Sequence, residues 1–73
     1  MKNSECTKEK QRLASKLYQA RNEAGVKQID LQNEGIISQS HLSKIENGEI
    51  NISAIMLKHL ANRYKKPLEY FFE

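Results

Sequence analysis

In SQSHLSKIENGE, residues Ser38 to Glu49, the polar side chains of Gln39, Ser40, His41, Ser43 and Lys44 surround only two apolar anchors, Leu42 and Ile45. Leu42 and Ile45 are three apart and share the inward face of a short helix, which turns Gln39, Ser40, Ser43 and Lys44 toward solvent. The Gln39 amide can both donate to and accept from an adenine edge. The hydroxyls of Ser40 and Ser43 can bond either class of base edge, and Lys44 can reach guanine or a phosphate. An ordinary solvated face would have the same composition, so these residues permit base reading without requiring it. No comparable set supports catalysis or metal binding. His41 and His59 lie far in sequence from the single thiol, Cys6, and the three show no metal-ligand spacing. No third group completes a nucleophilic or proton-transfer arrangement. Neither enzyme activity nor a cofactor is expected. His41 reads as packing at the helix edge or touching a nucleic-acid backbone, and His59 as a surface residue.

The elements that must position this stretch follow from apolar spacing. Residues 1–8 are polar, lack periodicity and read as a flexible N-terminal arm, leaving residues 9–73 as the domain. In KEKQRLASKLYQARNEAG, Leu13, Leu17, Ala20 and Ala24 recur at steps of four and three, giving a first helix stopped by Gly25. KQIDLQNEG is a second, short helix with Leu31 inward and an end near Gly35. Ser38 can cap the third helix, about residues 39–46, and Asn47-Gly48 can end it, since both residues tolerate a left-handed backbone. Ser53 can cap a fourth helix with Ala54, Leu57, Leu60, Ala61 and Tyr64 inward, and Lys65 and Lys66 sit where a helix C-terminus favours cations. Pro67 suits the first turn of a last helix, PLEYFF, whose Leu68, Phe71 and Phe72 can close the core. No segment alternates with a period of two. The expected fold is therefore all-α, with five helices. The second and third are too short to persist alone, and a helix, tight turn and helix with a polar outer face is the layout that places one helix in a DNA major groove.

Length and charge bound the partners. Seventy-three residues suffice for one domain with a modest core held by packing alone. The longest apolar runs, such as AIML at 54–57, fall far short of the roughly 20 residues that cross a bilayer. The polar start MKNSECTKEK has no apolar run of a signal peptide, so a cytoplasmic protein with no membrane partner is expected. The net charge of +3 is distributed as +4 over residues 1–27, −3 over 28–50 and +2 over 51–73. A weak excess of this kind permits a polyanionic partner and equally suits a protein that binds none.

Three phrases in register, LYQARNEAGVKQIDL, GIISQSHLSKIENGE and LKHLANRYKKPLEYFF, resemble the helix-turn-helix domain of phage lambda and 434 repressors and Cro proteins, the Xre family. The likeness runs without a gap from about Leu13 to Phe72, and SQSHLSKIENGE is especially similar to the N-terminal domains of peptide-sensing regulators of Gram-positive bacteria. The resemblance implies the five-helix lambda-repressor-like fold and a sequence-specific regulator of transcription that binds double-stranded DNA. It implies that Gln39, Ser40, Ser43 and Lys44 face base edges, that Gln28 bonds the phosphate backbone as helix two opens, and that Asn47 meets a phosphate. It also implies a structural ion pair between Arg21 of helix one and Glu46 at the end of helix three. A sheltered charge of that kind is tolerable only if paired.

Two departures from the family pattern bear on geometry. Gln32 stands where the family usually has Ala, and Gly35-Ile36 replaces its Leu-Gly pair, which leaves the end of helix two and its angle to helix three undetermined. Lys58 replaces a common Leu of helix four, so that side is either exposed or covered by the lysine stem. Fold alone does not choose between repressor and activator. Repression needs only occupancy of a promoter and is the expected mode. One domain reads one half-site, so two copies on a palindromic operator are expected, with Tyr70, Phe71 and Phe72 as candidate homodimer contacts. The alternative is a protein-binding module of the same fold that reads no DNA, a reading favoured by the negative middle third.

Overall fold

The computed structural model describes residues 3–73, with side chains from Lys8 onward, and contains four α-helices followed by a short 3-10 helix. Residues 1 and 2 and the side chain of Cys6 lie outside the described residues. The helices are α1 (Asn3–Glu23), α2 (Gln28–Asn33), α3 (Gln39–Glu46) and α4 (Ala54–Tyr64). Helix α1 opens at Asn3, so the backbone is helical across residues 3 to 8, where the sequence places an arm. Those residues are polar and carry no apolar period, yet none of them breaks a helix. The expected fifth helix is the 3-10 segment Leu68–Phe72, with Pro67 just outside it as the N-cap. The tighter 3-10 geometry is used in short pieces, and five residues is at the long end of such runs. Among the described residues there is no strand, and no helix is long and apolar enough to cross a membrane.

Helices α2 and α3 pack on each other, α1 lies behind α3 and α4, and the terminal 3-10 helix closes against α1 and α4. Their shared core holds Leu17 and Ala20 of α1, Leu31 of α2, Leu42 and Ile45 of α3, Leu57, Leu60, Ala61 and Tyr64 of α4, and Phe71. Four residues expected inside are exposed. Ala24 lies past the end of α1, and Ala54 opens α4 on its solvent side. Leu68 and Phe72 are 46% and 65% exposed, because one aromatic residue, Phe71, already fills the base of the core. Ala14 and Arg21 take part of the inward face of α1 instead, next to Leu17 and Ala20. Lys58 is exposed.

All four α-helices end in the same closure, in which an N–H beyond the helix returns to a carbonyl five residues earlier: Val26 to Arg21, Ile36 to Leu31, Glu49 to Lys44 and Lys66 to Ala61. The residue before each of those donors is left-handed. At the end of α3 it is Gly48, while Asn47 keeps a right-handed backbone, so only one of the two expected residues uses that freedom. Gly35 performs the closure inside the α2–α3 turn at φ +77°, with nothing near the position of an added Cβ. Lys65 does so at φ 61°, where a side chain strains the backbone. Urea melts should therefore show Gly35→Ala losing about 1 to 2 kcal/mol through backbone strain without any clash. Lys65→Gly should gain about 0.5 to 1 kcal/mol after the added flexibility of glycine is subtracted.

Candidate nucleic-acid interface

The polar face of α3 depends on what anchors its opposite side. Leu42 and Ile45 are buried, and the Glu46 side chain is turned inward with only 3% of its surface exposed. With 100° between successive residues, the opposite stripe holds Ser40, Ser43, Lys44 and Asn47, at the i, i+3, i+4, i+7 spacing of one helix face. Ser40, Lys44 and Asn47 are exposed and Ser43 is half-buried. Gln39 and His41 are exposed on the two flanks of that stripe. The structure thus gathers Gln39, Ser40, Ser43, Lys44 and Asn47 on the outer side of one short helix.

Glu46 meets Arg21 in a two-pronged pair: Nε donates to Oε2 at 2.8 Å and Nη2 donates to Oε1 at 3.0 Å. The remaining guanidinium nitrogen, Nη1, donates to the Val26 carbonyl at 2.9 Å, tying the link between α1 and α2 to the same group. Gln28 Nε2 donates to Glu46 Oε1 at 3.0 Å. One carboxylate therefore holds α1, α2 and α3 together. Its hydrogen bonds raise Arg21 above the ordinary arginine range, against the opposing effect of desolvation. The Tyr64 hydroxyl is buried beside this charged group, and burial pushes its pKa up. Gln28, expected at a phosphate, is half-buried with one amide hydrogen committed to Glu46, which leaves its second hydrogen and its carbonyl for any other partner.

Of the remaining acids of the middle third, two are engaged by other groups. Asp30 accepts the Lys27 backbone N–H at 2.9 Å at the start of α2. Glu34 accepts from Arg63 Nε and Nη2, each at 2.8 Å, and those bonds hold its carboxyl below the usual range. Glu49, beyond the end of α3, has no such engagement among the described residues. Glu46 and Glu34 are each paired with an arginine from outside residues 28–50, so the net −3 of that segment overstates the negative charge near the helix.

The turn itself carries a contact that the sequence flagged only as a departure. Gln32 Oε1 accepts the backbone N–H of Gln39, the first residue of α3, at 2.8 Å, and Ser38 Oγ accepts that of His41 at 3.2 Å. The one available signal was a long amide where the family has Ala, seven residues before the helix it caps. Nothing in the sequence signals the pair between Glu34, at the C-cap of α2, and Arg63 of α4, 29 residues further along the chain.

In comparison with known proteins, the family model described as Helix-turn-helix matches residues 17–71, well over half of the chain. No curated protein and no solved structure matches significantly.

The Arg21 and Glu46 side chains are 10% and 3% exposed. Removing either partner strands the other, at a cost of about 3 to 5 kcal/mol. Urea melts of Arg21→Ala, Glu46→Ala and the double variant should show strong non-additivity, with the second removal costing little after the first. Additive losses would mean that the pair contributes nothing as a pair.

Proposed function

Because the chain belongs to the helix-turn-helix family of Xre and lambda Cro type, a family of DNA-binding regulators, we propose that it reads a specific double-stranded DNA site by laying α3 in the major groove. It represses transcription by occupying that site. The observation that carries this reading is the sorting of charge on α3: its only acid, Glu46, is inward and paired, while its outer face holds amide, hydroxyl and ammonium groups. A carboxylate on that face would be repelled by phosphate, whereas these groups match base edges and backbone. In this reading Gln39, Ser40, Ser43 and Lys44 meet bases. Asn47 and the uncommitted part of the Gln28 amide meet phosphates. No residue acts catalytically and no cofactor is required. The protein works in the cytoplasm, where a bacterial operator lies.

One α3 reads one half-site, so two copies occupy a palindromic operator with half-site centres about 34 Å apart, one turn of DNA. Contact between the copies falls to Phe72, 65% exposed, rather than Tyr70. The Tyr70 ring lies between Lys16 Nζ and Lys66 Nζ, each 4.7 Å from its centroid, and edge-on to Phe71. Side chains three apart share a face of a 3-10 helix, so Glu69 and Phe72 point outward together. The small exposed apolar area accounts for pairing on DNA without a stable dimer in its absence.

Site selection from a random duplex pool tests the reading. Gln39→Ala should lose about 1 to 3 kcal/mol of specific affinity with little change on random DNA. Lys44→Met should relax preference at its own base step rather than weaken all sites equally, which is the signature of a residue touching phosphate alone. Identical preferred sequences for wild type and Gln39→Ala would rule out base reading by Gln39.

A further inference from the structure

We propose that Gln28 and Gln32 form a two-point clamp that sets the pose of α3, and that Gln32 is the positioning residue for its base-reading first turn. The two glutamines are four apart and share one face of α2. Gln28 holds the C-terminal end of α3 through Glu46, at 3.0 Å. Gln32 holds the opposite end through the Gln39 N–H, at 2.8 Å. A helix of only six residues thereby grips both ends of the eight-residue helix that it packs against.

The second grip adds to the turn's own closure, in which the Ile36 N–H donates to the Leu31 carbonyl and sets the end of α2 but not the start of α3. The turn between α2 and α3 passes through Gly35 in a left-handed conformation, with open space where a side chain would stand, so no side-chain crowding at that position fixes the angle between the helices. The first N–H groups of α3 have no partner within the helix. Ser38 takes that of His41 and Gln32 takes that of Gln39, so the start of α3 is tied both to its own cap and to α2. The bond from Gln32 falls on the residue whose side chain is assigned to a base edge. Anchoring the Gln39 nitrogen fixes the point and direction from which its amide leaves the helix, and a two-bond contact with adenine tolerates only about 0.5 Å of displacement. Lys44 lies about 7.5 Å further along the axis. Buried Leu42 and Ile45 and the Glu49-to-Lys44 closure hold it independently of Gln32. The influence of Gln32 is therefore confined to the first turn.

This inference rests on the base-reading role of α3, and its test separates the two. The full chain is compared with Gln32→Met, which keeps the stem without a comparable acceptor, and with Gln32→Glu, which keeps an acceptor oxygen. Gln32 is exposed, so each variant is expected to fold. In the free protein, hydrogen exchange at the Gln39 amide should speed up about fivefold or more in Gln32→Met and stay slow in Gln32→Glu. In selection from a random duplex pool, Gln32→Met should lose preference only at the base steps assigned to Gln39 and Ser40, keeping it at the Lys44 step. Gln32→Glu should retain the full preference while binding every site more weakly by a common factor, since it adds a negative charge near phosphate. Faster Gln39 exchange with an unchanged preference would overturn the positioning role. So would a loss of preference spread evenly over the site, which marks general destabilisation. A wild-type chain with no preferred sequence removes the base-reading premise and the inference together, and is told apart from the other failures because it shows in the wild type.

Discussion

The buried carboxylate of Glu46 is the point on which the domain's geometry converges. It accepts from Arg21 of α1 and from Gln28 of α2 while standing on α3, and Arg21 in turn grips the Val26 carbonyl between α1 and α2. Desolvating a carboxylate and a guanidinium is expensive, and the attraction between them repays it only when geometry is good and the remaining donors are used. All three guanidinium nitrogens donate here. The apolar core supplies cohesion, but burial of apolar surface is non-directional. A two-pronged ion pair with a third donor has a defined direction and so fixes how α3 is rotated about its axis. That rotation decides which residues face outward, and it removes the only acid of α3 from the face assigned to DNA.

Charge elsewhere follows the same economy. Arg63 engages Glu34 at the end of α2, and Lys66 engages Glu23 at 2.7 Å while lying over the Tyr70 ring. Bonding to Lys66 and Gln19 holds the Glu23 carboxyl below its usual range. Both pairs are largely solvated and contribute little stability individually. Their effect is on where charge points, since bases of the last third cover Glu23 of α1 and Glu34 just beyond α2.

The sequence made the helices legible where a period or a punctuating residue existed. Leu13 and Leu17, the Ser38 and Ser53 caps, and Gly25, Gly35 and Gly48 placed the four α-helices to within a few residues. It failed where neither signal was present. The polar residues 3 to 8 carry no stripe, so the early start of α1 was invisible. Ala24 and Ala54 matched the spacing but fall at helix ends, beyond the surface that their helices bury. Leu68 and Phe72 look like core residues by type, yet Phe71 alone fills the available volume. Within the candidate site, the outward set on α3 followed from two apolar anchors, and the meeting of Arg21 and Glu46 rested on the family likeness. The Gln32 bond could not be read, because whether a long amide reaches across a turn depends on an interhelix angle that residue types do not specify.

The central claim is that α3, held by Glu46 and by the α2 glutamines, presents the DNA-reading surface. Its most direct test is a titration of the ¹⁵N-labelled chain with duplex DNA from upstream of its own gene, followed by amide chemical shifts. The account predicts the largest changes from Gln39 to Asn47 and at Gln28, with the buried residues of α4 little affected. Smaller changes at Phe72 are expected from contact between the copies, whereas changes concentrated on α1, or none on any duplex, would contradict the account.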